Sequence, residues 1–149
     1  MLNSAPVMRH VAIAILHRGG KFLMQLRDDP PAPIVIPGQW GLFGGHIETG
    51  ETPLTALQRE LQEEIGYCPP RLLEFKCYPT ETVVRNVFYA SLEVGLEALV
   101  LGEGQDMGFL TVADIHQGEG YSTLLQQTRT IGVAHRQILQ EFIAEGNLP

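Results

Sequence analysis

The sequence predicts an α+β fold in which helices pack on the faces of a mixed sheet. Three observations carry this. Apolar and β-branched segments recur along the chain between short turns rich in Gly and Pro. Only two long segments repeat apolar residues at helical spacing. The chain has 149 residues, 44% hydrophobic and 18% charged. That composition supports a buried core and excludes a disordered chain. A single domain spanning 1–149 is expected, with a radius of gyration of roughly 15 Å.

The elements follow in order. Val7 to Leu16 reads as a strand and Lys21 to Arg27 as its hairpin partner, turning at Arg18-Gly19-Gly20. Asp28 to Gln39 holds Pro30, Pro31, Pro33 and Pro37, so it reads as a loop. Trp40 to Phe43 is a short strand, after which Gly44 and Gly45 open another loop. Thr52 caps a helix, with Pro53 at its first position. Leu54, Leu57, Leu61 and Ile65 form its apolar stripe, and Gly66 stops it. Strands are expected at Leu72 to Tyr78, Thr82 to Leu92, Glu97 to Leu101 and Met107 to Thr111. Val112 to Ile115 starts a short helix. A last helix runs from Thr130 to Ala144, with Ile131, Ala134, Ile138 and Phe142 on one face.

Charge narrows the function. Ten Lys plus Arg against 17 Asp plus Glu gives a net charge of −7, a poor balance for gripping duplex nucleic acid. An anionic substrate needs a local basic patch or metal cations. The apolar stretch Val11 to Leu16 is far shorter than a membrane span and lacks the features of a signal peptide. A cytoplasmic protein with no membrane partner is expected. Cys68 and Cys77 have no His or Cys at metal-ligand spacing and read as free thiols. There is no Gly-rich phosphate loop or dinucleotide fingerprint.

The most informative stretch is the acidic helix. Glu60, Glu63 and Glu64 lie at i, i+3 and i+4 and share one side. Two readings are open: a solvated acidic face, or a divalent-cation site that relieves the repulsion among the carboxylates. Glycines just upstream allow close approach of backbone to a ligand.

Gly45, Glu51 and the run Arg59-Glu60-Leu61-Gln62-Glu63-Glu64-Ile65-Gly66-Tyr67 match the pattern G-x5-E-x7-R-E-apolar-x-E-E-x-G-apolar. The segment resembles the box of the Nudix hydrolase superfamily, MutT-like members included. The resemblance implies a Nudix-type α/β/α sandwich and a Mg²⁺-dependent pyrophosphohydrolase, with Mn²⁺ as a substitute. Such enzymes cleave a nucleoside diphosphate linked to another group, by attack of water on phosphorus. The implied substrate is a small nucleotide, either a nucleoside triphosphate or a nucleotide-linked diphosphate; a homodimer is common among relatives.

The resemblance also implies roles. Glu60, Glu63 and Glu64 are metal ligands, one of them doubling as base, and the Gly45 or Gly44 carbonyl adds an oxygen. Arg59 and Glu51 orient the others. A further glutamate is expected from 102–109. Some members place it directly before the aromatic, where this chain has Gly108, which leaves Glu103 and Asp106, Glu103 preferred. Phe43 replaces a Pro frequent in the family.

Other residues carry two readings each. Trp40 stacks on a base or packs in the core. Arg27 holds a phosphate or pairs with Asp28 or Asp29. His46 contacts phosphate or faces solvent, and His135 is a proton shuttle or a surface histidine. Tyr78 and Tyr89 line a pocket or pack on the sheet. Two other functions use this fold: a non-catalytic nucleotide-binding regulator and a diphosphate-ester isomerase. The first usually loses box glutamates, which this chain keeps. The second relies on Cys and Glu in its pocket.

Overall fold

Chain segments that are apolar at every position, such as Val11–Leu16, can be satisfied only in a strand covered on both faces. The computed structural model, which describes residues 7–33 and 37–147, places this run at the centre of a sheet. Strand β1 (Arg9–Arg18) has strand β6 (Val83–Ser91) parallel along one edge. Its other edge is divided. Strand β2 (Lys21–Leu26) pairs antiparallel with the far end, from Leu16 to Arg18. Strand β4 (Phe43–His46) pairs antiparallel with Val11 to Ala14. Beyond these lie β3 (Trp40–Gly41) and β7 (Asp106–Leu110) against β2, and β5 (Leu73–Pro79) against β6.

Alternation along β1 feeds two cores. Ala12, Ala14 and Leu16 face helix α1 (Pro53–Ile65), meeting Ala56, Leu57, Leu61 and Ile65. Val11, Ile13 and Ile15 face the other way, toward Ile115 of helix α2 (Val112–Gln117) and Ile138, Leu139 and Phe142 of helix α3 (Val133–Ala144). The expected sandwich of helices around a mixed sheet is therefore the observed architecture. No helix among the described residues is long and apolar enough to cross a membrane.

Helix α1 begins and ends as its sequence dictates. The Thr52 hydroxyl accepts from the Thr55 N–H, and Gly66 closes the helix in the left-handed conformation. Several expectations are corrected. Leu54 is exposed, and Ala56 takes its place in the core. Gly44 and Gly45 belong to β4 rather than to a loop. Trp40 to Phe43 is two strands, because the Leu42 N–H bonds to the His135 ring instead of to a ladder partner. The strand expected at Glu97 to Leu101 is a 3₁₀ turn at Leu96–Ala98. Helix α3 starts at Val133; Ile131 is buried ahead of it, bridging Trp40. A hairpin of β8 (Glu119–Ser122) and β9 (Gln127–Thr130) was not legible, since QTRT has no apolar alternation. Part of the Pro-rich loop, 34–36, lies outside the described residues.

Candidate active site

Because β2 and β4 share one edge of β1 at opposite ends, the two strands diverge. Side chains of α1 reach between them. The Glu64 carboxylate accepts from the Gln25 amide of β2 at 3.0 Å and from the Gly44 N–H of β4 at 3.3 Å. Glu64 is only 8% exposed. Burial, together with the Glu60 charge, pushes its carboxyl up to about 8, against the Gly44 N–H and the Arg27 charge, which lower it. Glu60, held by Arg59, lines the same cavity as Glu64.

Arg59 organises the rest of the box. Its Nε and Nη2 donate to Glu51 at 2.8 and 2.9 Å, its Nη1 to Glu60 at 2.9 Å, and its Nη2 to the His46 carbonyl at 3.0 Å. The fork holds the Glu51 carboxyl down at about 2, aided by the Glu48 N–H. Glu51 thereby ties the turn at 48–51 to the helix. A Cβ at Gly45 would sit 2.5 Å from the Glu60 carboxyl carbon. Only glycine leaves that carboxylate its place.

These groups open on a cavity of about 610 Å³. Its acidic lining residues are Asp28, Glu60, Glu64 and Glu103, and its arginines are Arg9, Arg27 and Arg85. Among the described residues the Arg27 side chain has no hydrogen bond or ion pair. Asp29, a partner weighed for it, instead holds Arg129, Gln105 and the Gly38 N–H. Glu103 lies on the cavity wall, whereas Asp106 accepts from the Ser122 hydroxyl at 2.7 Å and is spent on the β8–β9 hairpin. Gly108 is an ordinary β7 residue facing open space. Glu63 does not line the cavity; its side chain is 60% exposed and lies 3.5 Å from Arg59. No three acidic, His or Cys side chains among the described residues converge as a ready-made ligand cluster.

Trp40 as a base-stacking residue is corrected. It is 1% exposed, and its indole N–H donates to the Gly120 carbonyl at 3.0 Å. A ring sealed in the core has no face to offer. Tyr78 bonds Glu141, and Tyr89 packs on Phe75 and Phe142, so both belong to the α3 layer. His46 sits on the cavity rim within 3.3 Å of Arg9. Neither cysteine lines the cavity, which removes the isomerase reading's chemistry from it.

Arg9, Arg85 and the inward role of His135 escaped the sequence reading. The signal was there for two of them. Arg9 shares a face of β1 with Val11, Ile13 and Ile15, and Arg85 shares a face of β6 with Val83 and Val87. A cation on an inward-facing position is anomalous unless the face ends in a site. His135 faces inward from α3, and its Nδ1 accepts the Leu42 N–H at 2.8 Å. Burial, then the Arg27 and Arg85 charges, depress it to about 3. The unfolded chain takes up that proton near the ordinary value of 6.5. Stability from this group is therefore full above pH 6.5 and is lost as pH falls toward 3. A His135→Gln variant is expected to flatten the fall in melting temperature between pH 7 and 4; an unchanged slope would show that His135 takes up its proton equally in the folded and unfolded states.

A family model described as the NUDIX domain matches residues 6–129. The nucleoside triphosphatase NudI of Enterobacter sp. (strain 638) is 41% identical over 59 residues, covering 39% of this chain and 40% of that protein. NudI of Escherichia coli (strain SE11) is 39% identical over the same share. The chain thus spans about 40% of the length of the curated relatives it matches. Among solved structures, the MutT NUDIX hydrolase from Burkholderia pseudomallei superposes with a TM-score of 0.69 at 22% identity, over 90% of this chain and 97% of that one. The NUDIX domain of Shewanella oneidensis NrtR, crystallised with ADP ribose, gives 0.68 at 19% identity, over 93% and 88%. At such identities the likeness is one of fold.

Proposed function

The chain belongs to the Nudix family, and from that premise we propose that it is a Mg²⁺-dependent pyrophosphohydrolase acting on a nucleoside triphosphate or a nucleotide-linked diphosphate. The observation that carries the reading is that buried Glu64 and its neighbour Glu60 line one cavity together with Arg9, Arg27 and Arg85. A pair of carboxyl oxygens of this kind fits a hard divalent cation, which needs few protein ligands and takes phosphate and water for the rest. Glu60 and Glu64 would hold it, with the Gly45 carbonyl beside them. Glu63 would join only by leaving Arg59. When bound, the cation supplies charge neutralisation at phosphate and a lowered pKa for water.

The chain's own residues do the rest in this reading. Arg27 grips the non-bridging phosphate oxygens opposite the glutamates. Glu103, on the wall and free of a partner among the described residues, receives the proton of the attacking water; Glu60 is the other candidate base. Glu51 and Arg59 fix the Glu60 carboxylate. An Arg59→Gln variant is expected to lose about 10- to 100-fold in Mg²⁺ affinity or turnover while Glu64 stays in place. Mg²⁺ titration of activity checks this, and an unaltered titration curve would leave Arg59 a purely structural role.

The direct test is product release from a panel of dNTPs, oxidised dGTP, ADP-ribose, nucleotide sugars and dinucleoside polyphosphates. Each is assayed with Mg²⁺ and with chelator, and Glu64→Gln is the control. Metal-dependent cleavage lost in the variant is the expected result. Tight nucleotide binding with no cleavage would replace the hydrolase with a regulator.

A further inference from the structure

A second cavity of about 230 Å³ adjoins the first, and both are lined by Arg27, Arg85 and His135. Three kinds of donor meet there. Arg27 and Arg85 have no ion pair or side-chain hydrogen bond among the described residues. Burial and the charge of Arg9 both disfavour the charged form of Arg85, so the fold holds this cation without a protein counter-ion. His135 accepts the Leu42 N–H on Nδ1, which leaves its proton on Nε2. That Nε2–H has no partner among the described residues and is not sealed from solvent. Finally, Gly132 precedes α3 as an N-cap with no side chain to offer, and Val133 and Ala134 line the same cavity. Their N–H groups are orphan donors at the positive end of a helix.

What is missing is equally informative. No Phe, Tyr or Trp lines the large cavity, and the small one meets only the buried Trp40. The undescribed residues 1–6, 34–36 and 148–149 contain none. A nucleobase finds no Phe, Tyr or accessible Trp ring to stack on here, whereas a tetrahedral anion finds several donors.

We propose that the small cavity is a subsite for a phosphate monoester carried on the part of the substrate remote from the scissile diphosphate. The preferred substrate is then a diphosphate bearing at least one further phosphate group. The inference rests on the pyrophosphohydrolase reading for what happens at Glu60 and Glu64, but the binding it describes needs no turnover. A phosphate accepts bidentate bonds from planar guanidinium forks and, with its remaining oxygens, the imidazole and backbone N–H donors. The two cavities thus divide the work: the glutamates of the large one take the cation, Arg85, His135 and the α3 N–H groups take the remote charge, and Arg27 lines both.

The test is titration calorimetry in chelator, where nothing is hydrolysed. For a nucleotide source, adenosine 5′-diphosphate is compared with adenosine 3′-phosphate 5′-diphosphate. For a sugar source, inorganic pyrophosphate is compared with ribose 5-phosphate 1-diphosphate. In at least one pair the added phosphate is expected to tighten binding about tenfold or more. The pair that responds identifies the source. In Arg85→Gln that advantage falls below about threefold, with melting temperature as the check on folding. Val133→Glu, at an exposed first helical position, sets a carboxylate at the cavity mouth and is expected to remove the advantage as well. If neither pair shows an advantage, or if it survives both substitutions, the subsite is overturned. Loss of hydrolysis in Glu64→Gln is a separate experiment, so failure of the catalytic reading is distinguishable from failure of this one.

Discussion

Glu64→Gln is expected to lower kcat about a thousandfold or more, equivalent to roughly 4 kcal/mol of barrier, with the fold intact. The physical reason lies in the protonation state of the native carboxyl. With no cation bound, Glu64 is held near a pKa of about 8 by burial and by Glu60. At pH 7 it is mostly protonated, and glutamine is a close copy of that neutral form. The metal-free variant therefore keeps its melting temperature. A cation must displace the proton, which glutamine cannot offer. Mg²⁺ at a hundred times its Kd is expected to stabilise the wild type by about 2.7 kcal/mol through binding linkage. The same addition should leave Glu64→Gln unmoved. The wild-type affinity should also rise with pH up to about 8, as the proton becomes easier to remove. Wild-type turnover in the variant, or an equal Mg²⁺ shift, would take Glu64 out of the site.

Gly44→Ala is expected to cost about 4 kcal/mol or more of stability, the largest structural effect of any single methyl group at the site. Gly44 has φ +144°, and an added Cβ would sit 2.1 Å from the Ala12 carbonyl oxygen and 2.7 Å from the Ile13 Cα. Both neighbours are backbone of the central strand. Relief requires β4 to part from β1, which unmakes the ladder that aims the Gly44 N–H at Glu64. Gly45→Ala is the contrast. There the clash is with the end of the flexible Glu60 side chain, so the fold survives and turnover falls. Chemical denaturation with activity on the soluble fraction separates the two. Equal stability of Gly44→Ala and wild type would mean that β4 can shift at no cost.

The same contrast explains what was legible in the sequence. Helix α1 could be read residue by residue, since Thr52, Pro53 and Gly66 act within one turn of the ends they define. The acidic side could be read for the same reason, because 100° per residue fixes which side chains are neighbours. The role of each glutamate could not. Glu63 and Glu64 are adjacent in sequence, yet one is exposed against Arg59 and the other buried against Gln25 and Gly44. That division depends on where β2 and β4 separate, which no local pattern records. Between Asp106 and the preferred Glu103 the local sequence left a choice, which Ser122 of the β8–β9 hairpin closes by binding the first.

By itself the sequence determined the alternating faces of β1, the start, stop and stripe of α1, and the motif that names the family, all consequences of short-range periodicity and capping. Only the tertiary structure decided which strand ends part to admit Glu64, which helix seals Trp40 away, and which cations face the cavity. The reason is physical. Arg9, Arg27, Arg85 and His135 come from two neighbouring strands, the end of a third and a distant helix. Their meeting is set by sheet order and by α3 covering only part of one face, and such pairings between remote segments leave no imprint on the residues beside each of them.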